Sequence, residues 1–341
     1  MISKLVRENI KLMKPYFSAR QEFAGEASVY LDANENPFGS PLPEQYNRYP
    51  DPLQVKLKEK ISSIKRVLAE NIFLGNGSDE GIDLLIRIFC NPGSDSIVIC
   101  PPTYGIYEVC ASINDVGVKK VELTAHFQLD IEGIQNAADA FTKLLFICSP
   151  NNPSGNSINH SDIEYTLRNF AGIVVIDEAY LQYSSQHSFI SELDKYPNLV
   201  VLQTLSKAWG LAGLRLGMAF ASVEIISYFN KIKYPYNINT ATQRLALQAL
   251  EDEQPVNNWT NQVIGQRKWL RIQLLALPFV KEVYPSDANF ILIKVEDADF
   301  VYESLIKKGI IVRQREGCIR MTVGTPAEND LLIKELKNLA Q

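Results

Sequence analysis

The feature that most constrains this chain is a set of short, nearly uninterrupted apolar runs, each followed by a polar cluster. Residues 96–100, 144–148, 173–176, 199–202 and 217–220 are made almost wholly of Ile, Val, Leu, Phe and other apolar residues. A strand buried on both faces reads this way, whereas a strand with one wet face alternates. Stretches able to form crossover helices, such as 161–170, lie between the runs. That order predicts a doubly wound α/β unit with a mostly parallel sheet. After Thr240 the pattern changes to helical stretches at 241–251 and 257–277. Strand-like 289–295, 310–312 and 319–323 follow, and a closing helix is expected at 327–339. The expected division is a large domain, 30–245, and a smaller α+β domain, 246–341, with an N-terminal arm, 1–29, packing on the latter. With 341 residues the chain is long enough for two such units.

Composition removes several classes of function. Hydrophobic residues make up 46% and charged residues 21%, and 34 Lys plus Arg against 39 Asp plus Glu leave a net charge of −5. No basic excess or stripe points to nucleic acid, and no apolar run approaches the ~20 residues of a membrane span. Residues 1–16 mix charges into apolar positions, so no signal peptide is expected there. The five cysteines, Cys90, Cys100, Cys110, Cys148 and Cys318, are scattered and lack CxxC spacing, which reads as buried thiols in a reducing cytoplasm. His126, His160 and His187 have no metal-ligand spacing, and HExxH, GxSxG and GxxxxGK[ST] are all missing. Neither a metal site nor zincin, serine-hydrolase or P-loop chemistry is expected. The remaining chemistry must use Lys, Arg, Asp, Asn and Tyr.

Those residues are grouped. Pro101-Pro102-Thr103-Tyr104, Ser149-Pro150-Asn151-Asn152-Pro153-Ser154-Gly155, Asp177-Glu178-Ala179-Tyr180 and Thr204-Leu205-Ser206-Lys207 each follow an apolar run. Ligands of open α/β sheets bind outside the carboxyl ends of the strands, so the four clusters should line one pocket. Asp177 as a magnesium-holding acid would need the missing phosphate loop. It remains readable as a helix cap, or as a carboxylate that keeps a pyridinium nitrogen protonated. A strand-end lysine is commonly a solvated charge, but Lys207 is flanked by small and apolar residues. A desolvated amine has a lowered pKa and can bond to a carbonyl carbon. Arg215, in Gly213-Leu214-Arg215-Leu216-Gly217, offers a fork suited to phosphate. Gly75-Asn76-Gly77-Ser78-Asp79 precedes Ile82, Leu85, Ile86 and Phe89 at helical spacing. With Ser78 as N-cap, it reads either as a simple turn or as an anion site at a helix start.

Assembled, the sequence resembles the fold-type I aminotransferases dependent on pyridoxal 5'-phosphate (PLP), and within them the histidinol-phosphate aminotransferases. The resemblance runs nearly the whole chain. It rests on Leu31-Asp32-Ala33-Asn34-Glu35-Asn36-Pro37, Arg48-Tyr49-Pro50, Gly77-Ser78-Asp79-Glu80-Gly81, Pro101-Pro102-Thr103-Tyr104-Gly105 and Phe127-Gln128-Leu129-Asp130. The Asn152, Asp177 and Lys207 clusters continue it, and Arg313 and Cys318-Ile319-Arg320-Met321-Thr322-Val323-Gly324-Thr325 close it. The resemblance implies that Lys207 bonds PLP and shuttles a proton. It implies that Asp177 pairs with the ring nitrogen, that Asn152 and Tyr180 hydrogen-bond the phenolic oxygen, and that Tyr104 stacks on the ring. Ser78, Asp79, Ser206 and Arg215 would serve the phosphate, with Tyr49 reaching it from the partner subunit of a homodimer with shared sites. Tyr16, Arg313 and Arg320 would bind the anionic end of the substrate, with Tyr49 and Asn152 also contacting it. The implied reaction moves an amino group between L-histidinol phosphate and 2-oxoglutarate, a step of histidine biosynthesis. An aromatic amino acid aminotransferase and a PLP-dependent decarboxylase of a phosphorylated amino acid are the competing readings. Arginine 313 and 320 as plain salt bridges, and Tyr16 as a packing residue, stay open. Ser154 stands where the family usually has Thr, the chain is somewhat compact for the family, and Arg315 adds a cation without an assigned partner.

Overall fold

The structure, a computed structural model, describes residues 2–16, 18, 20 and 28–339. A seven-stranded sheet is built from β1 (Ile72–Asn76), β2 (Ser96–Ile99), β3 (Gly117–Lys120), β4 (Thr142–Cys148), β5 (Ile173–Asp177), β6 (Leu199–Thr204) and β7 (Leu216–Ala221). Its order is β1-β7-β6-β5-β4-β2-β3. Pairing is parallel from β3 through β6, and β7 alone runs against its neighbours β6 and β1. The strands β4, β5, β6 and β7 are buried nearly end to end, as their apolar composition requires. Two apolar layers cover the two sheet faces: one includes Leu145, Val174, Ile176 and Val201, the other Leu144, Phe146, Val175 and Val200.

Three elements lay below the resolution of pattern reading. β1 carries Gly75 and Asn76, which look like loop residues, and is a strand because it pairs with β7. β3 is an edge strand with no fully buried residue. The short β8 (Val280–Val283) exposes half its length. β8 joins β9 (Phe290–Val295), β10 (Arg313–Arg315) and β11 (Cys318–Thr322) in an antiparallel sheet ordered β10-β11-β9-β8. The strand expected at 310–312 is displaced to Arg313–Arg315, where it pairs in register with Cys318–Arg320. Helices Gln254–Leu275, Ala298–Lys307 and Pro326–Asn338 pack on this sheet around Leu270, Leu274, Ile293, Leu305 and Leu336. Thr325 and Glu328 form a capping box at the last helix.

The first residues of the arm are a correction. Ile2, Val6 and Ile10 are buried in the apolar layer of the large sheet, beside Phe73, Ile225 and Phe229, and not in the small unit. Polar ties run the same way: the Ser3 amide donates to Glu224, and the Arg7 amide donates to the Ile88 carbonyl. Part of the arm, 1, 17, 19 and 21–27, lies outside the described residues.

Among the described residues no helix is long and apolar enough to cross a membrane, and no group of His, Cys, Asp and Glu could hold a metal ion. All five cysteines are free; four are buried and Cys318 is half-buried.

Candidate active site

The sheet topology explains why the polar clusters converge. The chain proceeds from β2 outward to β3, then returns to β4 and advances toward β1. The connections therefore reverse between β2 and β4, and the crevice at their carboxyl ends is the expected ligand site. There the Asn151 side chain donates to the Pro102 carbonyl at 2.8 Å, tying the two loops together. Because β7 runs backwards, its start brings Arg215 to the edge where the parallel strands end.

One pocket is lined by Ser78, Asp79, Tyr104, Asn152, Asp177, Tyr180, Ser206, Lys207 and Arg215, with Gly77, Cys148, Ala179 and Thr204. Asp177 ends β5 and is 3% exposed. Its Oδ2 accepts from the Tyr107 hydroxyl at 2.8 Å, and its Oδ1 from the Ala179 amide at 3.1 Å. Burial pushes its carboxyl up to about 6, and the Tyr107 hydrogen bond pulls hardest the other way. Lys207 remains exposed as a residue, yet loss of water holds its amine below the ordinary value, with the Arg320 charge adding to the effect. Its Nζ lies 5.5 Å from the Tyr180 ring centroid. Tyr180 is buried, with its ring edge-on to Phe290 at 5.1 Å, and burial raises its hydroxyl above the usual range.

At the other end of the pocket, helix Gly77–Phe89 starts with Asn76 as N-cap, and no side chain caps it. Ser78 is thus a first-turn residue, not the expected cap. Gly77, Ser78 and Asp79 of that first turn line the pocket. Gly217, opposite Gly75 in the β1–β7 pair, sits so close that a Cβ would overlap the backbone of Gly77 and Ser78. Arg215 adopts the left-handed region at φ 52°, its carbonyl accepts from the Gly77 amide at 2.7 Å, and its Nη2 contacts Asp79 at 3.2 Å. The Tyr104 hydroxyl donates to the same Asp79 at 3.2 Å. Ser206 is held by Thr204, whose hydroxyl lies 3.0 Å from its own.

Arg320 approaches from the small sheet. Its Nη1 donates to Asn152 Oδ1, and its guanidinium lies 5.1 Å from the Phe290 ring centroid. Arg313 stands directly opposite it across the β10–β11 pair. Like charges so placed repel, and burial together with Arg315 and Arg313 holds the Arg320 guanidinium below its usual range. Among the described residues no carboxylate pairs with Arg313, Arg315 or Arg320. Such an uncompensated cluster suits an anionic ligand.

Four expected residues lie outside the lining of this pocket in the single chain: Arg320 meets its edge at Asn152, Arg313 stands behind Arg320, and Tyr16 and Tyr49 do not reach it. Tyr16 is 75% exposed, and Tyr49 stacks on Tyr236 at 4.4 Å, away from the pocket lining. One residue at the site escaped notice, Tyr107. Its only signal was a second tyrosine three residues after Tyr104, near the start of the helix that follows.

The profile of the family described as "Aminotransferase class I and II" matches residues 31–336. The chain belongs to that family. The histidinol-phosphate aminotransferase of Parabacteroides distasonis is 55% identical to this aminotransferase over 344 residues, covering 99% of each chain. The crystal structure of the histidinol-phosphate aminotransferase from Clostridium acetobutylicum superposes with a TM-score of 0.80 at 26% identity, covering 86% of this chain and 91% of that one. The histidinol-phosphate aminotransferase of Sinorhizobium meliloti, solved in complex with pyridoxal-5'-phosphate, shares the fold at a TM-score of 0.77 and 23% identity, covering 90% of each chain.

The aminotransferase is PLP-dependent, as its family is, and the donor set fits that cofactor. A buried carboxylate, a desolvated amine and donors at Ser78, Ser206 and Arg215 share one pocket. The backbone of Gly217 leaves the helix start unobstructed. PLP carries the same three features: a ring nitrogen, an aldehyde and a phosphate.

Proposed function

We propose that this chain transfers an amino group reversibly between L-histidinol phosphate and 2-oxoglutarate in the histidine pathway. The observation that carries the reading is the identity of 55% over essentially the whole of both chains. Arg320 on Asn152, with Arg313 opposite it and no carboxylate on either among the described residues, supplies its chemical complement, since one fork can take phosphate or carboxylate in turn.

PLP, when bound, supplies an electron sink for the charge that develops at the substrate carbon. The chain's residues do the rest. Asp177 would face the ring nitrogen and hold its proton. Asn152 and Tyr180 would hydrogen-bond the phenolic oxygen, and Tyr104 would cover the ring. Ser78, Asp79, Ser206 and Arg215 would form the phosphate cup. Lys207 Nζ, its pKa lowered by loss of water, would hold the cofactor and carry the substrate Cα proton. Arg313, Arg320 and Tyr16 would orient the substrate's anionic end.

The enzyme would work as a homodimer in the cytoplasm, with Tyr49 of the partner subunit completing the phosphate cup. Supporting this are apolar side chains left bare on one chain: Phe38 is 97% exposed, Leu31 87% and Tyr234 80%. The functional units would be 30–245 and 246–341, with the first residues of the arm carried on the larger. The test is glutamate formation by purified protein from L-histidinol phosphate and 2-oxoglutarate. Turnover with that donor well above that with L-phenylalanine supports the reading. Equal or greater turnover with L-phenylalanine moves it to aromatic transamination, and carbon dioxide release to a decarboxylase.

A further inference from the structure

The fully buried hydroxyl of Tyr107 lies against the Asp177 carboxylate, with the Cys148 thiol beside it. Tyr107 lies on helix Ile106–Ile113, its ring stacked on Phe146 at 4.7 Å and set edge-on to Tyr104 at 5.6 Å. For packing alone a phenylalanine would serve, and burying a hydroxyl costs free energy unless it finds a partner. Its partner is Asp177 Oδ2, at 2.8 Å, while the Ala179 amide takes Oδ1. One tether on each oxygen fixes rotation of the carboxylate. A carboxylate has about four acceptor sites, so some remain for a group in the pocket. The other titratable groups facing Asp177 are Cys148 at the end of β4, Tyr180 after β5, Lys207 after β6, Asp79 in the helix after β1, and Tyr104 after β2.

We propose that Tyr107 is a positioning residue for amino transfer, acting through Asp177 to fix the carboxylate's orientation and keep it an acceptor toward the cofactor's ring nitrogen. The proposal rests on the role assigned to Asp177 above.

The test compares Tyr107→Phe, Asp177→Asn and the double variant as PLP-loaded proteins. Losing one hydrogen bond to a charged group should raise the PLP dissociation constant about tenfold and lower kcat about tenfold, with KM within about twofold. The pH midpoint of the visible PLP band should move in the direction that Asp177→Asn moves it. On the Asp177→Asn background, Tyr107→Phe should change each quantity less than about twofold, because both act through one carboxylate. A Tyr107→Phe variant that only melts earlier, with an unmoved band and effects that add to those of Asp177→Asn, overturns the proposal and leaves Asp177 in its role. If Asp177→Asn itself binds PLP and titrates like wild type, the role of Asp177 fails, and the proposal with it.

Discussion

Asp177 should make the cofactor-free enzyme less stable, and removing its charge should show this. The carboxyl is 3% exposed, and burial raises it from 3.8 to about 6. That gap corresponds to about 3 kcal/mol against the charged form once pH is well above 6. The folded value lies above the unfolded one, so the stability this group contributes is full below about pH 4 and is lost as pH rises through about 6. Asn at this position cannot ionise and keeps an acceptor for Tyr107 or Ala179. The cofactor-free Asp177→Asn variant should therefore gain on wild type as pH rises, by about 1.5 kcal/mol between pH 5 and pH 8. Urea unfolding of both proteins at one fixed concentration measures that difference. Saturating PLP should reverse the order, because wild type then gains the binding free energy that the variant loses. A stability difference that is flat or shrinks from pH 5 to pH 8 would refute the argument that burial strains this carboxylate.

Other consequences follow from the same geometry. Gly217→Ala should drive a methyl into the backbone of Gly77 and Ser78; thermal melting should report about 1–3 kcal/mol lost, and PLP affinity should fall. Arg320→Lys keeps the charge but not the fork that Asn152 engages. Steady-state kinetics should show KM rising about tenfold for the phosphorylated donor and for 2-oxoglutarate, with kcat less affected. Lys207→Ala should lower kcat by about 10³-fold or more, since the proton carrier is gone. Mixing it with an impaired Tyr49→Phe protein should restore partial turnover through hybrid dimers; no recovery would count against shared sites.

How much of this was legible in the sequence differs by element. β4, β5 and β6 announce themselves because burial on both faces permits only apolar side chains. Their polar ends, at Asn152, Asp177 and Lys207, were for that reason conspicuous. β1 and β3 were not, since a strand held by its neighbour or at an edge need not look apolar. The place of Ser78 was misread because the turn at Gly77, φ 74°, lets the helix begin one residue before the serine. The first residues of the arm were expected on the small unit because a short amphipathic segment does not say which face it covers; Ile2, Val6 and Ile10 suit either. Tyr107 was invisible for a related reason. A buried tyrosine reads as core until its hydroxyl is seen to meet Asp177.

The most direct measurement is the half-reaction, following the visible band of the PLP-loaded protein as amino donors are added one at a time. The account predicts rapid bleaching by L-histidinol phosphate and by L-glutamate, and slow bleaching by L-phenylalanine. Preferential bleaching by L-phenylalanine, or a purified protein that takes up PLP without forming any such band, would contradict it.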